Sequence, residues 1–112
     1  MLDRITNQIE RYMNLLSARQ KLVASNVANL DTPGYKTKDI DFQFEFQTQI
    51  DNQSPNAVDA PGLTTRNDGN NVSLDRETRL LAENALRFNL ASTLMKGQLK
   101  TISEAIQEGK SG

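Results

Sequence analysis

Two stretches of heptad-spaced apolar residues, one at each end of the chain, constrain its fold more than any other feature. In residues 1-30, Leu2, Ile9, Leu16, Val23 and Leu30 recur at every seventh position, with Ile5 and Tyr12 at the intermediate helical spacing. This stretch contains neither Gly nor Pro. An apolar stripe sustained over several heptads without a breaker predicts one long helix. Residues 73-108 return to the same spacing, with Leu81, Ala85, Phe88, Met95, Leu99, Ile102 and Ile106 in one register. Ser73 suits an N-cap, Asp75 and Glu77 oppose the helix dipole in the first turn, and the tail from Glu108 through Gly109 predicts the end. Two matching registers in one chain predict a mainly α fold, with both terminal helices forming an antiparallel, coiled-coil-like hairpin. In that hairpin the first stripe packs against the second.

The segment between them is of another kind. Residues 31-72 hold all three Pro and carry an acidic excess, whereas both ends are mildly basic. In residues 51-71 only Ala57, Val58, Ala60 and Leu63 are apolar, too few to build a core, so this stretch reads as a loop that only a neighbour can order. Just before it, Ile40, Phe42, Phe44 and Phe46 alternate with polar residues. That pattern predicts a strand or extended arm, with a short helix as the alternative. The chain thus divides into an N-terminal helix (1-30), a turn, arm and polar loop (31-72), and a C-terminal helix with tail (73-112).

Composition then narrows function. With no Cys and no His among 112 residues, a disulfide framework, a Cys/His zinc site, a thiol nucleophile and a Ser-His-Asp triad are all excluded. A net charge of -1 gives no electrostatic case for nucleic acid or an anionic membrane. No unbroken apolar run predicts a signal peptide or a membrane span, so export would use a route that reads neither. Asp39, Asp41 and Glu45 are spaced for a strand rather than across a pocket, and Asn67 to Asn71 reads as an Asp-Gly turn, not a calcium loop. The expectation is a non-enzyme without cofactor or metal.

The helix break carries the most specific signal. Pro33 and Gly34 suit the central positions of a type II turn, since Pro presets φ and Gly accepts the positive φ that follows. Thr32, preceding Pro, is pushed out of the α region, which ends the helix near Asn29 or Leu30. Asn26 and Asn29 lie on one side of the helix, where their amides suit the returning chain or uncapped carbonyls.

These residues resemble the N-terminal signature of bacterial flagellar basal-body rod and hook proteins, in which a helix ends in Ala-Asn-x-x-Thr-Pro-Gly-Tyr-Lys. Here Ala28, Asn29, Thr32, Pro33, Gly34, Tyr35 and Lys36 fill that pattern, with Asn26 one turn upstream. Lys38-Asp39-Ile40-Asp41-Phe42 and the stretch from Val72 to Phe88 are similar to the proximal-rod branch. The resemblance spans residues 1-46 and 72-108 and leaves the middle unmatched. It implies a structural subunit that polymerises through its terminal helices into a tubular axle, transmitting torque and enclosing an export channel. Implied partners are further copies of itself, FlgC, FliE and other rod proteins, and components of the MS ring and export gate. Implied location is the periplasmic rod of the flagellar basal body. Early export substrates of this system tend to carry Phe, three residues, then an apolar residue; Phe42/Phe46 and Phe46/Ile50 both match. Periodicity alone equally fits a small helical adaptor that binds a partner's helix; the turn motif favours the rod subunit. Because one seam leaves Met13, Leu22, Leu86 and Leu90 without partners, the isolated chain is not expected to be a stable compact globule.

Overall fold

A computed structural model describes residues 2–48 and 54–111. The elements in chain order are α1 (Leu2–Ala28), β1 (Lys38–Ile40), α2 (Phe42–Thr48), β2 (Ala57–Asp59) and α3 (Leu74–Ser111). The two long helices run antiparallel, since Asn26 bonds Glu77, Gln20 bonds Asn84, and Tyr12 bonds Arg87 in turn along α1. A radius of gyration of 18.4 Å exceeds the roughly 13 Å of a compact chain this long. Extents of 71 × 25 × 18 Å confirm a rod-like molecule. At 38 residues α3 outruns α1, and its last turns extend past the start of α1.

Local chemistry explains the ends of each element. Asn29 N–H closes on the Ser25 carbonyl at 3.1 Å, and Tyr35 N–H on the Thr32 carbonyl at 3.2 Å across Pro33-Gly34. Gly34 has φ 77°, so the type II turn is present. Ser73 Oγ accepts from Arg76 N–H at 3.2 Å and caps α3. The expected C-terminal stop differs: α3 continues through Gly109 to Ser111.

The arm differs as well. Only Lys38–Ile40 is a strand, paired antiparallel with β2 so that Asp39 faces Val58. The alternating Phe residues are helical, because Asp41 stops the strand and caps α2, its carboxylate accepting from Phe44 N–H at 3.1 Å. Phe42 and Phe46, four apart, then meet the Tyr12 ring edge-on at centroid distances of 5.4 and 6.3 Å, while Phe44 points to solvent. Strict alternation and helical i, i+4 spacing share positions 42 and 46, and packing on Tyr12 selects the helix. Within the polar middle, described residues 54–73 are ordered by a neighbour: β2 lies along β1, and Ala60 and Val72 are buried. Leu22 is half-buried beside Ile40, Pro55 and Ala57 of this arm.

The interhelical seam is also not the expected one. From α1 it takes Leu16 and Val23, with Ile5, Ile9 and Tyr12 half-buried and Leu30 half-buried just past its end. From α3 it takes Leu80, Asn84 and Ala91, with Glu77 at its closed end. Leu81, Phe88, Leu99 and Ile106 are exposed and Ala85 is too, whereas Met95 and Ile102 sit half-buried at the edge. One residue step turns a helix by about 100°, and the seam follows 77-80-84-91 rather than 81-85-88-95. The reason is chemical. Two polar side chains, Glu77 and Asn84, occupy seam positions because Asn26 and Gln20 meet them, so an apolar count selects the stripe next door. The side chain of Leu2 and all of Ile50 lie outside the described residues.

Candidate assembly site

The turn motif and both helix ends converge on one buried polar lock. Asn26 is fully buried and uses its whole amide. Its Nδ2 donates to the Lys38 carbonyl at 2.8 Å and to Glu77 Oε2 at 3.2 Å. Its Oδ1 accepts from Lys38 N–H at 3.0 Å and from the Tyr35 hydroxyl at 2.9 Å. The amide therefore meets the backbone of β1 as a neighbouring strand would, and joins α1, β1 and α3 at one point. Asn29 holds the frayed end of α1, donating to the Ser25 carbonyl at 2.8 Å and accepting from Thr32 Oγ1 at 3.0 Å.

The polar loop completes the turn from outside. Asn70, fully buried, donates to the Asn29 and Thr32 carbonyls at 2.9 and 2.8 Å and accepts from Val72 N–H at 2.8 Å. Arg66 donates to the Leu30 and Val72 carbonyls, and Asn71 Oδ1 accepts from Thr37 N–H at 2.7 Å. Lys36 reaches the Gly69 carbonyl. Gly34 N–H donates to the Asp68 carbonyl at 2.8 Å, and a Cβ on Gly69 would stand 3.2 Å from Gly34 Cα. The two glycine turns are thus pressed together, each at positive φ.

Asp39 supplies the charged half of the lock. Arg19 grips both oxygens with two nitrogens at 2.9 and 3.0 Å, Arg76 donates to the same Oδ2 as Arg19, and Ile40 N–H donates to Oδ1 at 2.8 Å. Burial works to raise its pKa, but the Arg19 and Ile40 hydrogen bonds and both guanidinium charges outweigh it and hold the carboxyl below its usual value. Arg76 also bonds Glu77 Oε1 at 2.6 Å, and Arg19 lies 5.5 Å from the centre of the Phe42 ring. Glu45, buried on α2, accepts from Asn56 N–H at 3.0 Å. The hydrogen bonds of Asp39 and Glu77 tie α1, β1 and α3 together, and that of Glu45 ties α2 to the segment before β2. Among the described residues no group of His, Cys, Asp or Glu is spaced to hold a metal.

Outside the lock, α3 exposes large apolar side chains on two sides. Relative to its seam, Leu81, Phe88, Leu99 and Ile106 fall on one flank and Leu86, Leu90 and Leu94 on the other, at about 100° per residue. All seven are between 40% and 62% exposed. Facing away from α1 is a polar line of Asn89, Thr93, Lys96 and Lys100, all exposed. Each flank opens beside a cleft of about 400 Å³. One is lined by Leu16, Gln20, Leu81, Asn84 and Phe88, the other by Ile5, Ile9, Tyr12, Leu90 and Leu94.

The structure therefore gathers Asn26, Asn29, Thr32, Gly34, Tyr35 and Lys36 into one turn, with Ala28 and Pro33 exposed at its rim. Phe42 and Phe46 pack on α1 and are half-buried. Sequence reasoning missed Arg19, Asp39, Arg66, Asn70, Arg76 and Glu77 as members of the lock. Asn70 follows an Asp-Gly turn and Glu77 sits in a helix's first turn, ordinary places that conceal long-range bonds.

A family model described as flagella basal body rod protein matches residues 12–36, the second half of α1 and the turn. The flagellar basal body rod protein FlgB of Salmonella typhimurium is 31% identical, over 97% of this chain and 99% of that protein. That of Escherichia coli K12 is 29% identical over the same shares, and that of Borreliella burgdorferi 26% identical over 90% and 94%. The Salmonella alignment spans 137 positions, more than this chain's 112 residues, so the relative carries residues that this chain lacks.

Proposed function

The chain belongs to the FlgB family of flagellar basal body rod proteins, and from that premise we propose that it is a proximal-rod subunit that polymerises through α1 and α3. The observation that carries this is the pair of apolar flanks on α3, which lie on different sides of the helix and stay 40–62% exposed among the described residues. A long helix with one seam filled and two flanks bare can bury them only between neighbours. Two different surfaces meeting head-to-tail generate a ring or helical tube rather than a closed dimer. With α1 behind it, the polar line Asn89, Thr93, Lys96 and Lys100 then faces the lumen and lines the export channel. The helices transmit torque because close-packed interiors resist compression, and the buried lock fixes the angle between α1 and α3 under load.

By the same reading its neighbours are further copies, FlgC, FliE and the other rod proteins, joined to the MS ring and export gate. The rod so built stands in the periplasm, reached without a cleaved signal. For export, Phe42 and Phe46 are offered from the unfolded chain, since both rings pack on Tyr12 after folding. Phe46→Ala would then hold the protein inside the cell, and normal secretion would remove that role.

The test of assembly separates surface from core. Leu99→Asp and Leu94→Asp lie on exposed flanks, so each isolated chain should keep its helicity while a cell relying on it loses motility. Full motility in both variants would overturn the proposal.

A further inference from the structure

Of the six glycines only Gly69 follows an Asp or Asn, so Asp68-Gly69 is the one dipeptide of its kind in the chain. That pairing carries chemistry of its own. A glycine nitrogen has no side chain to shield it, and the aspartyl carboxyl just before it can close a five-membered ring upon it. The Gly69 nitrogen bonds Asp68 Cγ, and its proton leaves with the carboxyl hydroxyl as water, giving a succinimide. Water then reopens the ring on either side. Breaking the new bond to Cγ restores Asp68. Breaking the bond to the original backbone carbonyl leaves an isoaspartyl residue, with the main chain routed through Cβ and the α-carboxylate as its side group. The water lost is regained, and no oxidant or co-reactant is needed.

The fold occupies both reacting groups. Gly69 N–H donates to the Arg66 carbonyl at 2.9 Å, and Asp68 Oδ1 accepts from Asn70 N–H at 3.0 Å. The carboxylate is thereby held on the nitrogen one residue beyond the one it would attack. Asp68 itself is exposed, so these bonds rather than burial withhold it. We propose that Asp68-Gly69 is a modification site, isomerising in the unfolded chain and protected once the polar loop closes on the Pro33-Gly34 turn. The closure matters because the product does not fit. Gly34 N–H donates to the Asp68 carbonyl at 2.8 Å, and Gly69 is packed so tightly on Gly34 that a Cβ would stand 3.2 Å from its Cα. An isoaspartyl residue replaces that carbonyl by one a carbon further along the chain. The added backbone atom also displaces Asn70, whose amide holds the Asn29 and Thr32 carbonyls at 2.9 and 2.8 Å. A chain modified before folding therefore fails to complete the lock, and a chain folded first keeps it. This rests on the loop's own geometry and is independent of the assembly reading.

Heavy-oxygen water reads the reaction directly, because each ring opening inserts one solvent oxygen at this dipeptide. The full chain is incubated in it at neutral pH, once in native buffer and once in guanidinium chloride. The tryptic peptide from Asn67 to Arg76 is then fragmented in a mass spectrometer to place the label at Asp68. Uptake is expected in the unfolded chain and at least about tenfold slower in the folded one, which reacts only through local opening. Equal rates would overturn the protection, and no uptake in denaturant would overturn the site. Gly34→Val in native buffer should lose most of the protection, and a variant as slow as the unaltered chain would remove the turn from the account. Asp68→Glu keeps the carboxylate but needs a six-membered ring, which closes far more slowly, so label at that position in the variant would also refute the chemistry. The isoaspartyl chain, separated by chromatography and returned to native buffer, should melt at a lower temperature than the unmodified chain carried through the same steps. Identical melts would show that the lock tolerates the added atom and would overturn that half of the proposal.

Discussion

Asn26→Leu should be the most damaging single change in the molecule, although it trades a polar residue for an apolar one of similar size. Four hydrogen bonds vanish at once, to Lys38 N–H, the Lys38 carbonyl, the Tyr35 hydroxyl and Glu77 Oε2. Tyr35 retains Ser25 Oγ at 3.4 Å and Glu77 retains Arg76, so the two backbone groups of Lys38 bear the main loss. At about 1–3 kcal/mol for each buried group left unmet, they account for about 2–6 kcal/mol. A domain of ordinary size has only about 5–15 kcal/mol in total, and this one has few fully buried apolar side chains to draw on. Asn29→Ala is the reference, because it loses two bonds at an exposed helix end and should cost about 1 kcal/mol. Urea unfolding followed by far-ultraviolet circular dichroism compares the two directly. Equal midpoints for Asn26→Leu and Asn29→Ala would refute the reasoning, since the buried amide would then be worth no more than a surface cap.

Four further outcomes follow from the same geometry. Gly34→Val should unfold the junction because φ at 77° strains a β-branched residue, and Gly69→Ala should also destabilise, its Cβ facing Gly34 Cα at 3.2 Å; thermal melts of both variants check this. Asp39 has a folded pKa below its unfolded value, so its contribution is present above about pH 4 and is lost as pH falls through the folded value. Asp39→Asn should therefore be less stable at neutral pH and show a flatter acid limb when unfolding is measured against pH. Gly97→Ala should stabilise α3 by up to about 1 kcal/mol, because an added Cβ meets nothing within 4 Å; a lower melting temperature would contradict that. Hydrogen exchange should rank amides near Val23, Lys38 and Leu80 as the slowest and those beyond Gln98 as the fastest, the latter having few buried contacts.

Both long helices, the break between them and the turn that makes the break were legible in residue order alone. Heptad spacing from Leu2 to Leu30 and from Leu81 to Ile106 reports a local property, the periodicity of a helix, and Pro33-Gly34 reports another, the φ values each ring or bare Cα allows. What tertiary structure alone decided is which faces meet. Apolar counting favoured the Leu81/Phe88 stripe, but Asn26 and Gln20 draw Glu77 and Asn84 into the seam, and that turns the stripe outward. Phe42 and Phe46 satisfy strand alternation and helical spacing alike, and only docking on Tyr12 distinguishes them. Likewise the polar loop, too poor in apolar residues to fold by itself, is ordered by Arg66 and Asn70 reaching carbonyls 36 to 41 residues away. A propensity belongs to a residue and its near neighbours, whereas a buried hydrogen bond belongs to two segments whose meeting depends on everything between them.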